Sequence, residues 1–321
     1  MKTTTTDPHS LFITFHRMPD AARRQLHVTE FLLVVMALIW GLNFAVMKYG
    51  TTVLEPLAYN GVRLTVGALV MLGIVALRRS PRPAWRDVRA LLALGSLGTG
   101  LYQAFFINGL ARTRAGTASL VVASSPAVIA IVGRALGVES VSPRAIAGIA
   151  MSIAGVAFVI LTSVTSSTGQ ASAFGDLLIL TSVVCWSFYT HLLRPYTHRI
   201  DGLQIAAWTL VGGTIPVLAF ATPAMLRTDW VAVAPLTWGA VMYSGIGSMG
   251  IAYLFWYRGV RVIGSTRTAM FSNLQPIVAL GVSWPLLGER PTLIQGVGVA
   301  AVLGGLLLTR QTAQPEPAHG E

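Results

Sequence analysis

The chain contains ten long apolar segments that follow one another with only short polar connections. A helix that crosses a membrane needs about 20 mostly apolar residues, and we predict ten such helices. Their approximate bounds are 31–50, 57–77, 88–108, 115–136, 143–162, 175–194, 203–223, 235–257, 266–286 and 291–309. Because helices satisfy their own backbone hydrogen bonds in lipid, the sequence predicts an all-α, polytopic membrane protein.

The charge content of the chain agrees with this class of protein. Only 11% of its 321 residues are charged, whereas a typical soluble domain has about 25%. The formal net charge is +11, but the basic residues stand between the apolar segments and form none of the motifs of nucleic-acid-binding proteins. We therefore predict membrane lipid and a small-molecule substrate as partners, and no nucleic acid.

The sequence lacks the motifs that would indicate a cofactor. It has a single cysteine, Cys185, which excludes a disulfide bond within the chain, and no spacing of cysteine and histidine typical of zinc sites. It also contains no phosphate-binding P-loop and no HExxH motif. We expect no cofactor and no bound metal, and we interpret Cys185 as a small packing residue.

The distribution of Arg and Lys indicates the orientation in the membrane. If the N-terminus is cytoplasmic, the termini and the inside connections hold 17 of the 23 basic residues, and the outside connections hold five. The remaining one, Arg63, lies within the second predicted helix. Because loops rich in Arg and Lys stay in the cytoplasm, we predict that both termini are cytoplasmic.

The sequence also repeats itself. Residues 109–155 align without a gap on residues 259–305, a shift of 150, and the front of each half aligns at a shift of 146, which places Trp40 on Trp186. Each half contains five predicted helices. Since five is an odd number, the second copy must enter the membrane from the opposite side. Inverted repeats of this kind allow alternating access to a site near the middle of the membrane.

We divide the chain according to this repeat. The predicted segments are a cytoplasmic N-terminal extension (1–30), a first five-helix repeat (31–162), an uncharged linker (163–174), a second five-helix repeat (175–309) and a cytoplasmic tail (310–321). The linker is rich in Ser, Thr and Gly, which is typical of a flexible connection. The apolar patch of the extension is too short for the core of a signal peptide, which needs about 7–15 residues.

Three groups of residues resemble the EamA-type members of the drug/metabolite transporter superfamily. They are Trp40-Gly41 with Asn43 and Lys48 in the first predicted helix, Pro56 with Arg63 in the second, and Pro276 with Leu287-Gly288-Glu289-Arg290, Gln295 and Gly298. Pro126 and the stretch Leu136-Gly137-Val138-Glu139 repeat the third group imperfectly. The resemblance covers residues 31–309. It implies a ten-helix fold and export of metabolites, amino acids or drugs across a bacterial-type plasma membrane.

Polar and aromatic side chains that recur within the predicted helices are candidates for lining a substrate cavity. Amides, indoles and ring hydroxyls need hydrogen-bond partners in lipid, so we expect them to face the interior of the bundle. The candidates are Trp40, Asn43, Tyr102, Gln103, Phe106, Trp186, Tyr189, Tyr253, Trp256, Asn273 and Gln275. Such a set suits a small zwitterion or an aromatic compound. It is also compatible with packing between helices or with an aromatic belt at the membrane surface.

Arg63 and two prolines are further candidates. A charge within a membrane helix costs roughly 2.5–3.5 kcal/mol on insertion scales. Arg63 therefore either binds a substrate carboxylate or helix ends, or lies shallow and reaches the membrane surface. Pro126 and Pro276 occupy matching positions in the fourth and ninth predicted helices. Because proline removes a backbone donor and clashes with the preceding turn, we predict either hinges that line the cavity or packed kinks.

Charged residues and a histidine near the helix ends are interpreted as anchors. Lys48 and Arg194 end equivalent helices, where cations complement the helix dipole and bind headgroups. Glu139 and Glu289 are expected to cap the helix that follows each of them or to anchor a loop. His191 lies near the cytoplasmic end of the sixth predicted helix and is interpreted as solvated, with a proton relay as the alternative.

These features favour a secondary transporter that exports amino acids or related metabolites. Every Asp and Glu is placed at a helix end or in a connection. This placement disfavours proton-coupled export of cations, for which a carboxylate within the membrane usually carries the proton. Three alternatives stay open, namely multidrug efflux, a passive channel and a membrane enzyme, although no catalytic set such as paired intramembrane aspartates is apparent. The sequence leaves the substrate, the coupling ion and the oligomeric state open.

Overall fold

The computed structural model describes residues 20–138, 143–165 and 173–310. Within these ranges all regular structure is helical, which confirms the predicted all-α class. The predictions for residues 1–19, for Glu139, for the middle of the linker and for the tail after residue 310 lie outside the described residues.

The helices divide into two sets with the same order. The first half has α1 (Asp20–Val53), α2 (Pro56–Leu77), α3 (Trp85–Gly95), the π-helical segment π1 (Ser96–Leu101), α4 (Tyr102–Arg112), α5 (Ala115–Val122), α6 (Ser125–Ala135) and α7 (Pro143–Thr165). The second half has α8 (Ala173–Thr197), α9 (Gly202–Arg227), α10 (Pro235–Met242), π2 (Tyr243–Ile251), α11 (Ala252–Ile263), α12 (Ser265–Phe271), a 3₁₀ turn (Ser272–Leu274), α13 (Gln275–Leu287) and α14 (Leu293–Arg310).

Local chemistry explains several helix ends. Pro56 and Pro235 occupy the first turns of α2 and α10, where the missing N–H of proline would have no helical partner. Gly288 follows α13 with a φ of 68°, and Gly264 separates α11 from α12 with a φ of 84°. Both angles lie in the left-handed region that favours glycine, so these residues end the helices before them.

Each of the ten predicted spans overlaps a helix or a consecutive set of helices. In the described part of the chain, six helical stretches are long and apolar enough to cross a membrane, and shorter apolar helices cover Ile146–Phe158 and Leu293–Gly305. The chain is therefore a multi-pass membrane protein, while the number of ten crossings stays a prediction.

The first helix begins earlier than the sequence predicts. α1 starts at Asp20, whereas hydropathy places the first span at 31–50. The polar start of α1 is held by tertiary contact, because Arg258 Nε of α11 donates to Thr29 Oγ1 at 3.1 Å. Hydropathy detects the part of a helix that lies in lipid, and α1 continues beyond that part into the predicted extension.

The two halves share the same irregularities. A shift of 150 moves π1 onto residues 246–251, which lie inside π2. The same shift moves the break between α5 and α6 onto the 3₁₀ turn between α12 and α13. Segments of π-helix are rare and often mark functional sites, so their repetition at one position of both halves makes them a feature of the five-helix unit.

The halves pack together by exchanging equivalent contacts. α2 packs against its counterpart α9, and α7 packs against its counterpart α14. α1 packs against α11 and α13, and α8, the counterpart of α1, packs against α4 and α6. Where α7 meets α14, Ser152 Oγ donates to the carbonyl oxygen of Val302 at 3.3 Å, and these two positions match at the shift of 150. Such reciprocity is what a two-fold relation between the halves requires.

Glycines allow the helices around the π segments to touch. A Cβ atom on Gly95 of α3 would overlap the carbonyl oxygen of Thr209 in α9. In the other half, a Cβ atom on Gly245 of π2 would lie 2.6 Å from the carbonyl oxygen of Arg63 in α2. Positions 95 and 245 match at the shift of 150, and positions 63 and 209 match at the shift of 146. Each half therefore has a glycine at the equivalent position of the equivalent helix crossing.

Candidate functional site

A cavity lies between the two halves, beside the helix interruptions. It is lined by Trp40, Asn43, Phe44, Met47, Tyr102, Gln103, Phe106, Val122, Ser125, Trp186, Ser248, Met249, Tyr253, Ser272 and Gln275. All of these side chains are neutral. The volume is about 50 Å³, which has room for only a few water molecules, since one water needs about 10–15 Å³. An amino acid would fit only after the surrounding helices had moved apart.

Aromatic rings form one wall of the cavity. Trp40 and Trp186 occupy equivalent positions of the two halves, and their ring centroids lie 6.2 Å apart with an interplanar angle of 85°. Trp40 also lies 5.6 Å from Tyr253, and Trp186 lies 5.4 Å from Tyr102. Ring pairs at about 4.5–7 Å attract each other. Because each tryptophan contacts its own counterpart, this pair marks the place where the halves meet.

A chain of hydrogen bonds connects α1 to π2 on the other wall. Asn43 Nδ2 donates to Ser248 Oγ at 3.1 Å, and Ser244 Oγ donates to Asn43 Oδ1 at 2.6 Å. Tyr59 OH lies 2.9 Å from Ser244 Oγ. Trp40 Nε1 donates to the carbonyl oxygen of Ser248 at 3.1 Å. The π segment thus presents two hydroxyls and a backbone carbonyl to α1, which fixes the amide at the cavity.

At the position in the second half that is equivalent to the contact between Asn43 and Ser248, the structure has the ring of a tyrosine. Tyr189 matches Asn43 at the shift of 146, and Gly98 matches Ser248 at the shift of 150. A Cβ atom on Gly98 would overlap the ring of Tyr189, whose hydroxyl oxygen lies 2.7 Å from that of Tyr257. The two halves are therefore alike in backbone and different in side chains, and the cavity lies on the polar side formed by Asn43.

The EamA-like transporter family matches the chain twice, over residues 27–161 and 173–311. The chain belongs to this family. The two matches include every residue that lines the cavity, so the cavity of this EamA-like protein is built entirely from the family's repeated unit.

Relatives of this EamA-like chain are similar over most of their length. A protein of Archaeoglobus fulgidus described as an uncharacterized transporter is 27% identical over 282 residues, which are 88% of this chain and 96% of the relative. The probable terminal-alkyne amino-acid exporter of Streptantibioticus cattleyicolor is 28% identical over 281 residues, 87% of this chain and 93% of the relative. The family and these relatives are named transporters rather than enzymes.

A solved crystal structure shares the fold of this EamA-like chain. The two superpose with a TM-score of 0.65 at 22% sequence identity, over 89% of this chain and 99% of the other. At this identity the likeness concerns the path of the backbone and extends to no particular side chain.

The structure brings eight of the predicted site residues to the cavity. They are Trp40, Asn43, Tyr102, Gln103, Phe106, Trp186, Tyr253 and Gln275. Four others lie elsewhere in this conformation, namely Arg63, Tyr189, Trp256 and Asn273. Substrate binding by these twelve residues stays a prediction.

Three of the residues outside the cavity pack against neighbouring groups, although Trp256 Nε1 and Asn273 Oδ1 are buried without a hydrogen-bond partner. Trp256 is 1% exposed, and its ring lies 5.7 Å from that of Trp40 and 5.1 Å from that of Trp186. Asn273 lies in the 3₁₀ turn, where Nδ2 donates to the carbonyl oxygen of Met270 at 2.5 Å. Tyr189 is held by Tyr257, as described above. In this conformation the three side chains pack between helices, which is the alternative that the sequence left open.

Pro126 and Pro276 lie in the first turns of α6 and α13, directly after the two breaks. Proline 126 has no N–H for the carbonyl oxygen of Val122 four residues earlier, and Ser125 Oγ donates to that oxygen instead. At the other break, the carbonyl oxygen of Ser272 accepts from the backbone N–H of Gln275. Both predicted spans are therefore interrupted in their middles. A hinge at either break stays a prediction.

Sequence reasoning missed seven residues that line the cavity. They are Phe44, Met47, Val122, Ser125, Ser248, Met249 and Ser272. The repeat contains a signal for one of them, because Ser125 matches the predicted Gln275 at the shift of 150. Ser272 matches Val122 at the same shift, but neither of these two was predicted. Ser248 lies in the π-helical segment π2, and local polarity gives no sign of such a segment.

Glu289 and Lys48 bind helix ends that the sequence did not identify. The carboxylate of Glu289 accepts hydrogen bonds from the backbone N–H groups of Ala115 at 3.2 Å and Gly116 at 3.4 Å. It therefore caps α5 of the opposite half rather than the helix that follows it, and it anchors its own connection there, which is the other of the two predicted roles. Lys48 Nζ donates at 3.0 Å to two carbonyl oxygens at the C-terminal end of α4. Both charges neutralise helix dipoles across tertiary contacts.

Two polar side chains near helix ends are buried. His191 is 7% exposed, and its Nε2 lies 2.8 Å from the carbonyl oxygen of Ile129, so it packs against α6 and is not solvated. Asp176 lies in the first turn of α8, where it is fully buried and accepts a hydrogen bond from Thr113 Oγ1 at 2.6 Å. Neither belongs to the described residues that line the cavity.

Proposed function

We propose that this EamA-like protein is a secondary transporter that exports amino acids or related small metabolites by alternating access between its two halves. The observation that carries the proposal is the position of the cavity, where Trp40 of one half meets Trp186 of the other. Inverted repeats exchange conformations around a site in this position. The relative described as an amino-acid exporter supports the class of substrate.

The lining favours a small molecule with an apolar or aromatic part. The rings of Trp40, Phe106 and Trp186 offer flat apolar surface, and the amides of Asn43 and Gln103 offer both donors and acceptors. The cationic group of a drug would find no carboxylate to pair with among the described lining residues. This chemistry supports neutral or zwitterionic metabolites over cationic drugs.

The exchange of conformations gives a role to two of the predicted residues that do not line the cavity here. Tyr189 is the counterpart of Asn43, and Trp256 is the counterpart of Phe106. When the second half adopts the conformation of the first, these counterparts come to line a cavity that opens to the other side. The breaks before Pro126 and Pro276 are the proposed hinges of this motion.

We propose that both termini are cytoplasmic in a bacterial-type plasma membrane, as the distribution of Arg and Lys supports. The connection between α9 and α10 then faces outwards, and it contains the exposed Val231. In a Cys185→Ser background, Val231→Cys in intact cells is expected to react with an impermeant maleimide. Labelling that requires broken cells would reverse the proposed orientation.

Counterflow in proteoliposomes tests the transport mechanism directly. Vesicles that contain the purified protein are loaded with an unlabelled amino acid and placed in a solution of its labelled form. We expect transient accumulation of the label inside, because a carrier that moves one unlabelled molecule out can bring one labelled molecule in. A panel of neutral, acidic, aromatic and basic amino acids identifies the substrate. Flux that neither saturates nor shows counterflow indicates a passive channel, and the absence of flux for the whole panel contradicts the proposed substrate class.

The same assay examines the proposed hinges. Pro276→Ala supplies an N–H that can donate to the carbonyl oxygen of Ser272 and so extend α13 through the break. We expect a lower rate of counterflow with unchanged or higher thermal stability. Unchanged rates in both Pro276→Ala and Pro126→Ala would identify the prolines as packed kinks.

A further inference from the structure

Arg63 is a buried cation whose hydrogen-bonding capacity is only partly used. Its side chain is 0% exposed. Its Nε donates to Asn60 Oδ1 at 2.9 Å, and its Nη2 donates to Gln103 Oε1 at 2.5 Å. Its Nη1 is buried without a hydrogen-bond partner. Two neutral amides hold this guanidinium, and no ion pair among the described residues includes it.

The fold does not require this charge. The position that matches Arg63 in the second half is Thr209, and the position that matches Asn60 is Ala206. Thr209 makes the same tight crossing, since its carbonyl oxygen faces Gly95 as that of Arg63 faces Gly245. A small neutral residue is therefore compatible with the same backbone crossing. Burying a cation without a counter-ion costs several kcal/mol in a membrane interior, so the charge needs a reason other than structure.

Gln103 stands between the guanidinium and the cavity. It lines the cavity, and its Oε1 accepts the bond from Arg63. Its Nε2 donates to Met249 Sδ at 3.5 Å, and its side chain also interacts with the hydroxyl of Tyr253. Because these partners and the amide itself are neutral, an ionised carboxylate can compete with Oε1 for the cation. A carboxylate in its place has two oxygens for Nη1 and Nη2, the two-pronged geometry that guanidinium groups prefer.

We propose that Arg63 binds the carboxylate of the transported substrate, and that in the conformation described here the side chain of Gln103 occupies the place of that carboxylate. The substrate class is then a small carboxylate with an apolar or aromatic side chain, whose apolar part contacts the rings of Trp40 and Trp186. This inference rests on the proposed transport function, because it identifies the part of the substrate that the cavity recognises. The carboxylate replaces the oxygen of Gln103 as the partner of the cation.

The test uses two probes that differ only in the charged group. Thermal unfolding of the purified protein in detergent is measured with 3-phenylpropionate and with the neutral 3-phenylpropanol. For the wild type we expect stabilisation that rises with the acid concentration and little effect of the alcohol. In Arg63→Gln, the acid concentration for half-maximal stabilisation should rise at least about tenfold, since hydrogen bonds to charged groups contribute about 1.5–3 kcal/mol. Arg112→Gln, an exposed arginine on α4, is the matched control and should behave as the wild type.

Arg63→Lys covers the case in which Arg63→Gln does not fold. Lysine keeps the positive charge but lacks the two parallel N–H donors of a guanidinium. The preference for 3-phenylpropionate over 3-phenylpropanol should therefore weaken without disappearing. Equal stabilisation by acid and alcohol in the wild type, no stabilisation by the acid, or an unchanged preference in the foldable Arg63 variants would each overturn the proposal.

These experiments distinguish a failure of the proposed transport function from a failure of the proposed carboxylate binding by Arg63. Counterflow of amino acids that is independent of Arg63 would refute the carboxylate receptor and keep the transporter. Stabilisation by the acid that depends on Arg63, in a protein without counterflow of any amino acid, would keep the receptor and refute the proposed function.

Discussion

Gly95→Ala is expected to lower the unfolding temperature of the protein by about 2–5 °C, because the new methyl group would overlap atoms that cannot move aside. A Cβ atom at this position overlaps the carbonyl oxygen of Thr209, and the reciprocal Gly212 of α9 faces the carbonyl oxygen of Leu92 in the same way. Both obstacles are backbone atoms of a neighbouring helix, which no change of rotamer can remove. The helices α3 and α9 would have to separate, and the packing beside π1 would be lost.

Gly73→Ala is the matched control for this prediction. Gly73 also lies within a helix, α2, but nothing lies within 4 Å of the place where its Cβ atom would stand. Alanine favours a helix over glycine by about 1 kcal/mol, so the control should be as stable as the wild type or slightly more stable. Heating in detergent followed by size-exclusion chromatography measures both variants. Equal stability of the two would show that α3 and α9 do not cross closely in solution.

The helical class and the repetition of the chain could be predicted because they depend on properties that the sequence carries directly, whereas the number of ten crossings stays a prediction. An apolar run of about 20 residues is required by the thickness of the bilayer, so counting such runs locates the helices. The tight crossings depend on the absence of a side chain, and glycines such as Gly95 and Gly245 match between the halves. The start of α1 at Asp20 was missed because a helix outside the lipid leaves no mark in hydropathy.

The cavity was harder to predict because polarity alone does not separate a lining residue from a packing residue. Both face the interior of a helical bundle, and of two such tryptophans Trp40 lines the cavity while Trp256 is buried beside it. Glu289 shows a related limit, since it caps α5 from the far half while its neighbours in sequence suggest a local cap. Ser248 reaches the cavity through a π segment, whose position depends on tertiary contact.

Trp40 contacts both the other half of the protein and the π segment π2, and the proposed transport depends on both. Its ring contacts the equivalent Trp186 at 6.2 Å and separates the cavity from the packed Trp256 at 5.7 Å. Its Nε1 donates to the carbonyl oxygen of Ser248 in π2. Loss of the ring would therefore remove a wall of the cavity and the contact between the halves, while loss of the N–H alone would release only π2.

Trp40→Ala should reduce the rate of counterflow by at least about tenfold per folded protein, and Trp40→Phe by roughly three- to tenfold, since one hydrogen bond contributes about 1 kcal/mol. Trp85→Ala removes a tryptophan that is 67% exposed at the start of α3, and its rate should equal that of the wild type. Rates are normalised to the folded fraction, because truncation of a large ring also costs stability. A wild-type rate in Trp40→Ala would contradict transport through this cavity, since Trp40 lines it where the two halves meet.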